Sequence, residues 1–344
     1  MHELLNVLYV LTQGAVLNLD HDTVRVSVEG ETKLRAPLVR LGGIVVFGNV
    51  TITPFLIHRC AEDGRSVVWL TRAGRFKARV EGPVTGNVLL RRQQHLALSS
   101  KDWTLGLGRQ FVAGKVHNSR HVLLRSARDS VPGGEADVAL RAAAERQAGI
   151  LVRIRDVGDI DQLRGAEGEA ARTYFGVFGH MVRAGDGAFE PAGRTKRPPR
   201  DRTNAILSFL YALVRGECAS ACEGVGLDPQ VGFLHVLRPG RPALALDLME
   251  ELRPVLADRL ALTLVNRRQL TTSDFEESPG GAVSLTDSGR TAVIKAYQER
   301  KEEEVMHQIL GRRVPRGLIP HVQARLLARH LRGDIAHYPP FIAH

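Results

Sequence analysis

Three stretches of this 344-residue chain carry residues whose types and spacing suit chemistry. The first is Leu163-Arg-Gly-Ala-Glu-Gly-Glu-Ala-Ala-Arg-Thr-Tyr-Phe175. Read as a helix, it puts Glu167 on one face with Ala170, Ala171 and Tyr174 and turns Glu169 to the solvated side. A carboxylate on an inward face needs a partner such as a cation. A glutamate favoured by the helix dipole is the plainer account of Glu167. The second stretch is Val231-Gly-Phe-Leu-His-Val-Leu-Arg-Pro-Gly-Arg-Pro242, where His235 closes an apolar run ahead of an Arg-bearing Gly/Pro loop. A neutral imidazole there could ligate a metal or carry a proton. A satisfied, partly buried histidine is the plainer account. The third stretch is Leu244-Ala-Leu-Asp-Leu-Met-Glu-Glu-Leu-Arg-Pro254. Offsets of three and four put Asp247, Glu250 and Glu251 on one side of a helix. They repel one another unless a cation or base, Arg253 in part, sits among them; a solvated acidic edge is the other reading.

His235 and Glu250 are separated by a tight loop, so their side chains can converge, with Glu167 brought in by an earlier helix. Two glutamates and one imidazole suit Mg²⁺ or Mn²⁺ better than a thiolate-seeking metal. On a basic protein such a site is equipped for phosphodiester chemistry, because the cation neutralises phosphoryl charge and orients the attacking oxygen. Basic residues are placed to match. Arg325, Arg329 and Arg332 form a stripe at i, i+4 and i+7, Arg238, Arg241 and Arg253 flank the site, and Lys115, Arg120, Arg125 and Arg128 lie along the first long helix. Arginines of this kind grip backbone phosphates without choosing sequence. For any single one of them a solvated surface role is the commoner outcome.

The elements that must hold these residues fall into two halves. Ala15 to Leu19, Thr23 to Val28, Gly43 to Phe47 and Ser66 to Leu70 are short Val/Ile/Leu-rich runs punctuated by turns, which predicts a small β-sandwich or barrel. Thr53 to Glu62 reads as a helix. Gly82, Pro83 and Gly86 mark a linker, so that 1–82 is an N-terminal β domain, 83–90 the linker and 91–344 a mostly α-helical domain. Helical periodicity covers Trp103 to Arg128, Ala136 to Ala148, Leu163 to Val182, Thr203 to Cys222, Ala243 to Asn266 and Thr286 to Leu310. Arg183 to Arg202, with its Gly, Pro and basic residues, reads as a mobile loop. The fold class is α+β.

Lys and Arg total 47 against 37 Asp and Glu, a formal net charge of +10, which favours polyanion partners, nucleic acid or an acidic membrane. Three cysteines, without CxxC spacing, point to reduced thiols rather than a disulfide framework or zinc ribbon. No run of about 18 apolar residues and no basic leader are present, so neither a membrane span nor a signal peptide is expected.

At these segments the chain resembles the integrase of CRISPR adaptation, the "Cas one" family. The resemblance rests on Glu167 to Phe175, on Arg197-Pro-Pro-Arg-Asp-Arg-Thr-Asn-Ala-Ile-Leu-Ser-Phe209, on Gly232-Phe-Leu-His235 and on Arg238-Pro-Gly-Arg-Pro242. It continues through Leu246 to Pro254 and Leu264-Val-Asn-Arg267, with Gly86-Asn87-Val88, Arg91 and Gln94 at the start of the helical part. The motifs stand in the family order over nearly the whole chain, in a wording nearest the type I systems, subtype C. Ala243 stands where the family pattern leads one to expect Ser, and Leu252 where it leads one to expect Phe. The resemblance implies Glu167, His235 and Glu250 as metal-binding catalytic residues, Asp247 as an auxiliary acid, and Glu251 as no ligand. It implies Mg²⁺ or Mn²⁺ as cofactor, double-stranded and branched DNA as substrate, and 3′-OH attack at a leader–repeat border. It also implies a homodimer made through the β domain, a small ferredoxin-like second adaptation protein as partner, and a prokaryotic cytoplasmic setting away from any membrane. A non-enzymatic DNA-binding scaffold and a metal-dependent nuclease unrelated to CRISPR are the competing readings.

Overall fold

The computed structural model describes residues 6–72, 76–80, 82, 88–183 and 187–343. The chain divides into two compact units, Met1–Thr85 and Gly86–His344.

The first unit holds β1 (Asn6–Val10), β2 (Val16–Asp20), β3 (Thr23–Val28), β4 (Glu31–Pro37), β5 (Leu41–Phe47), β6 (Thr51–Ile52), α1 (Pro54–Glu62), β7 (Ser66–Leu70) and β8 (Phe76–Val80). They form two four-stranded sheets, in the orders β1-β5-β7-β8 and β4-β3-β2-β6. Leu17, Val24 and Val26 of one sheet join Ile44, Val46 and Val67 of the other, with Leu56 and Cys60 of α1, in a single apolar core. Each Val or Leu fully buried this way contributes about 1.5–3 kcal/mol relative to exposure. Gly43 is required where β5 meets β7, since a Cβ there would lie 2.9 Å from the Ser66 carbonyl oxygen. The strand β4 has no apolar alternation and is mostly exposed, so backbone pairing with β3 defines it.

The second unit holds α2 (Val88–Ser99), α3 (Lys101–Arg128), α4 (Glu135–Asp156), α5 (Ile160–Gly176), α6 (Arg202–Gly224), α7 (Ala243–Leu252) and α8 (Arg259–Asn266). It continues with β9 (Phe275–Glu277), β10 (Val283–Leu285), α9 (Asp287–Glu302), β11 (Glu304–His307), β12 (Arg312–Pro315) and α10 (Ile319–Leu331). The long helix α3 is central and packs against α2, α4, α5 and α7. Side-chain caps start several helices: Ser100 accepts from Trp103 N–H, Asp159 from Asp161 and Gln162 N–H, and Asp201 from Asn204 N–H. By length and composition α6 could cross a membrane, but most of its apolar window is buried inside this unit.

Several sequence expectations shift. Of the 83–90 linker, residues 83–87 lie outside the described residues and Val88–Leu90 already belong to α2. The helix expected over 243–266 is broken by a π-helical turn, Arg253–Asp258. Pro254 has no N–H to donate to the α-helical ladder, which explains a break at this place. The helix expected over 286–310 ends at Glu302, where Glu302, Glu303 and Glu304 oppose the helix dipole. The chain then turns through Gly311, at φ +60°, into the β11–β12 hairpin. The stretch expected over 163–182 ends its α-helix at Gly176 and finishes as a 3-10 turn, Phe178–Met181. The loop expected to be mobile is tied down over its described part. Asn204 Nδ2 donates to the Gly193 carbonyl, Arg202 Nη1 donates to the Ala188 carbonyl, and Phe189 is buried.

Candidate active site

Helix α3 carries Lys115 on the stripe Leu107, Phe111, Lys115, at steps of four, so this lysine points inward with the apolar residues. Opposite it α5 presents Glu167, one face-width from the buried Ala170 and Tyr174. Helix α7 presents Glu250, 1% exposed. The Lys115 ammonium pairs with Glu167 Oε1 and lies 2.8 Å from Glu250 Oε2. Lys115 is 7% exposed, so little water screens these contacts. Glu250 Oε1 receives the Arg253 guanidinium. The contact to Glu250 Oε2 lies off hydrogen-bond geometry, which leaves that buried oxygen without a hydrogen-bond donor. Burial and the neighbouring Arg253 charge push the Lys115 ammonium down to about 8, against the pull of Glu167. Burial would raise the Glu167 carboxyl, but the Lys115 charge and hydrogen bond outweigh it and hold Glu167 below its ordinary value.

His235 ends the segment that Arg164 of α5 holds by its Nε–H to the Leu234 carbonyl, 2.9 Å. Asp247, wholly buried on α7, accepts from Phe233 N–H (2.6 Å) and Leu234 N–H (3.0 Å) at Oδ2. At Oδ1 it takes His235 N–H (2.9 Å) and His235 Nδ1 (2.7 Å). Asp247 therefore fixes the ring, and His235 Nε2 faces Glu250 Oε1 at 3.6 Å. Gly232 makes this turn possible, because a Cβ there would lie 2.5 Å from the Ala243 carbonyl carbon and 2.7 Å from Asp247 Oδ2.

The three carboxylates of α7 thus have three separate partners, and none forms a solvated edge. Glu251 is wholly buried, on the far side of the site. Its Oε1 accepts from Tyr338 OH (2.6 Å) and Gln323 Nε2 (3.0 Å), and its Oε2 accepts from Phe341 N–H (3.0 Å). Burial pushes it up to about 8 despite these bonds. Asn118, on α3, also holds this C-terminal segment, donating to the Glu251 and Phe341 carbonyls. Glu169 is more exposed than Glu167 and pairs outward with Arg153.

The sequence-named arginines divide. Arg253 turns inward, between Glu250 and the Tyr211 ring, with its guanidinium carbon 5.1 Å from the ring centre. Arg194 lies over the same ring at 5.2 Å. Tyr211 OH donates to Asp258 Oδ1, 2.7 Å, and burial pushes Asp258 up to about 6. Arg238 is exposed and Arg241 half-buried in the loop after His235; Arg325, Arg329 and Arg332 are exposed along and just past α10.

The described residues include no set of three acid, histidine or cysteine side chains close enough together to hold a metal as they stand. The Lys115 ammonium is the cation between Glu167 and Glu250. The donor chemistry nevertheless fits a hard divalent ion: two carboxylates, one with a buried oxygen lacking a donor, and an imidazole whose free Nε2 faces them.

The family profile described as "CRISPR associated protein Cas1" matches residues 8–299. The chain belongs to the Cas1 family. It is 56% identical over 343 residues to "CRISPR-associated endonuclease Cas1 1" of Moorella thermoacetica, with 99% of each chain covered. It is 53% identical over 345 residues to "CRISPR-associated endonuclease Cas1 2" of Rhodospirillum rubrum, again covering 99% of each. In fold it is similar to a solved Cas1 protein from Thermotoga maritima, with TM-score 0.82, 22% identity, and 96% and 97% of the two chains covered. Within this Cas1-family chain, Lys115 is the residue that sequence reading took for a phosphate-gripping surface base and that pairs instead with Glu167 and Glu250. The sign of it was a lysine in register with an apolar helix stripe.

Proposed function

We propose that this chain is the metal-dependent DNA endonuclease and integrase of CRISPR adaptation, joining 3′-OH ends of foreign DNA fragments to the leader–repeat end of a CRISPR array. The observation that carries the proposal is the convergence of Glu167 from α5 and Glu250 from α7 on the buried Lys115 ammonium, with His235 Nε2 of the 231–235 segment 3.6 Å from Glu250 Oε1. These three residues would hold Mg²⁺ or Mn²⁺, which supplies charge neutralisation on the scissile phosphate and orientation of the attacking oxygen. The chain's own residues prepare that site. Asp247 holds the His235 ring so that Nε2 faces inward, and Arg253 fixes Glu250. A second-sphere carboxylate on a ligating histidine is the usual means of orienting it.

The partners of this reading are double-stranded and branched DNA, a second copy of the chain joined through the β unit, and a small ferredoxin-like second adaptation protein. The setting is the prokaryotic cytoplasm, which suits three buried cysteines in no disulfide, Cys60, Cys218 and Cys222. The motif wording supports a type I system, subtype C. The test is incubation of a duplex bearing free 3′-OH ends with a leader–repeat plasmid, in Mn²⁺ or EDTA, with wild type and His235→Ala. Joined product that needs both metal and His235 supports the proposal. Tight DNA binding with no joining or cutting in any arm favours the scaffold reading instead.

A further inference from the structure

Behind Lys115 lies a small internal cavity bounded by α3, α5, α6 and the π-helical turn Arg253–Asp258. Its walls include Lys115, Tyr174, Tyr211 and Asp258, and the small side chains of Ala170 and Ala171 on α5 leave the space. Its volume is about 10 Å³, room for one group the size of a water molecule. Lys115 thus borders both the cavity and the carboxylates Glu167 and Glu250. Asp258, which ends the π-helical turn, is 2% exposed. Its Oδ1 accepts from Tyr211 OH at 2.7 Å, and Tyr174 OH lies beside it outside hydrogen-bond geometry. The neighbouring guanidiniums are engaged elsewhere, Arg253 on Glu250 and Arg194 on Asn204 and Ser208. Among the described residues Asp258 makes no ion pair, and a carboxylate buried without a cation is costly.

The Lys115 ammonium occupies the place between Glu167 and Glu250 where the proposed function needs a divalent cation. Two cations in contact with the same two carboxylates repel each other, so the ammonium has to leave as the metal enters. Lysine carries its charge on a flexible four-carbon stem, and its terminal torsions can change while α3 stays in place. The cavity has room for one ammonium, the Asp258 carboxylate supplies the opposite charge, and the Tyr174 hydroxyl supplies a further acceptor. We propose that Lys115 is an exchangeable counter-ion, which crosses the cavity to Asp258 when a divalent cation binds Glu167 and Glu250. Asp258 is then a positioning residue: it touches neither metal nor DNA, and it favours the metal-bound state by receiving the displaced charge. This rests on the metal-dependent reading above.

The test is a double-mutant cycle on the full chain, read as Mn²⁺ affinity by calorimetry. It is run at about pH 7, where Asp258, pushed up to about 6 by burial, is ionised. Asp258→Asn is expected to weaken Mn²⁺ binding about tenfold in the wild-type background, the low end for a close charge pair. Beside Lys115→Met, which has no ammonium to move, the same change is expected to alter the affinity by less than about twofold. Melting curves show which variants are folded. If Asp258→Asn is not, the nitrogen NMR signal of the Lys115 ammonium decides. That signal, assigned by its loss in Lys115→Met, is expected to shift when Mg²⁺ is added to wild type and to stay protected from exchange with water. An equal loss of affinity in both backgrounds, no loss in either, or an unshifted Lys115 signal overturns the exchange. Each of these leaves metal-dependent joining by the wild type standing, whereas a wild type that binds neither ion defeats both proposals.

Discussion

Replacing Lys115 by Met removes the cation between Glu167 and Glu250 while keeping a side chain of similar length. At the 2.8 Å separation from Glu250 Oε2, the gross attraction is about 6 kcal/mol at an effective dielectric of 20. Desolvation of both groups offsets part of that. Breaking one side of a buried pair costs about 3–5 kcal/mol, because the other charge stays behind. Arg253 remains on Glu250, and the Glu167 side chain is 28% exposed, so the low end applies, about 3 kcal/mol. For a unit of this size each kcal/mol moves the melting temperature by about 2–4 °C. Lys115→Met in EDTA should therefore melt about 6–12 °C below wild type. Metal should act in the opposite sense. Without the competing ammonium, Mn²⁺ affinity measured by calorimetry should rise at least about tenfold, a difference of 1.4 kcal/mol, and Mn²⁺ should raise the variant's melting temperature more than the wild type's. A variant that melts within about 2 °C of wild type in EDTA, or that binds Mn²⁺ no more tightly, refutes the placement of Lys115 as the resident cation.

Asp247→Asn keeps the shape but gives the 233–235 turn an amide nitrogen where two donors need an acceptor. The variant should lose about 3 kcal/mol in urea unfolding and about 10–100-fold in joining rate, and a joining rate equal to wild type would show that His235 needs no orientation. Asp258 has a folded-state value raised to about 6 from 3.8, so its contribution is present below pH 3.8 and lost as pH rises through 6. Asp258→Asn, which can still accept from Tyr211, should gain on wild type by about 3 kcal/mol between those limits, at 1.36 kcal/mol per unit; a stability difference that does not vary with pH contradicts this.

Strands β2, β3, β5 and β7 were legible because each buries apolar side chains in a short run between turn residues. Strand β4 was not, since Glu31–Pro37 buries almost nothing and owes its place to backbone pairing with β3. The inward face of Glu167 followed from helical period, and its neighbours Ala170 and Tyr174 are buried as that period requires. Lys115 was misplaced because a lysine is ordinarily read as a surface contact, although its place on the Leu107–Phe111 stripe contradicted that. The fate of Glu251 depended on Gln323, Tyr338 and Phe341, more than seventy positions away, which no local pattern links to it. Arg300 and Arg316 meet on Glu303 through a hairpin whose first strand helical periodicity had read as helix.

In the proposed function the Glu167–His235–Glu250 cluster performs strand joining. Its most direct measurement is the yield of joined product from a 3′-OH duplex and a leader–repeat plasmid in Mn²⁺, for wild type and Glu250→Gln, alongside duplex affinity in the same buffer. Glu250→Gln is expected to bind the duplex within about threefold of wild type, a difference under 0.7 kcal/mol, and to yield no joined product. Joining by Glu250→Gln at the wild-type level would contradict it.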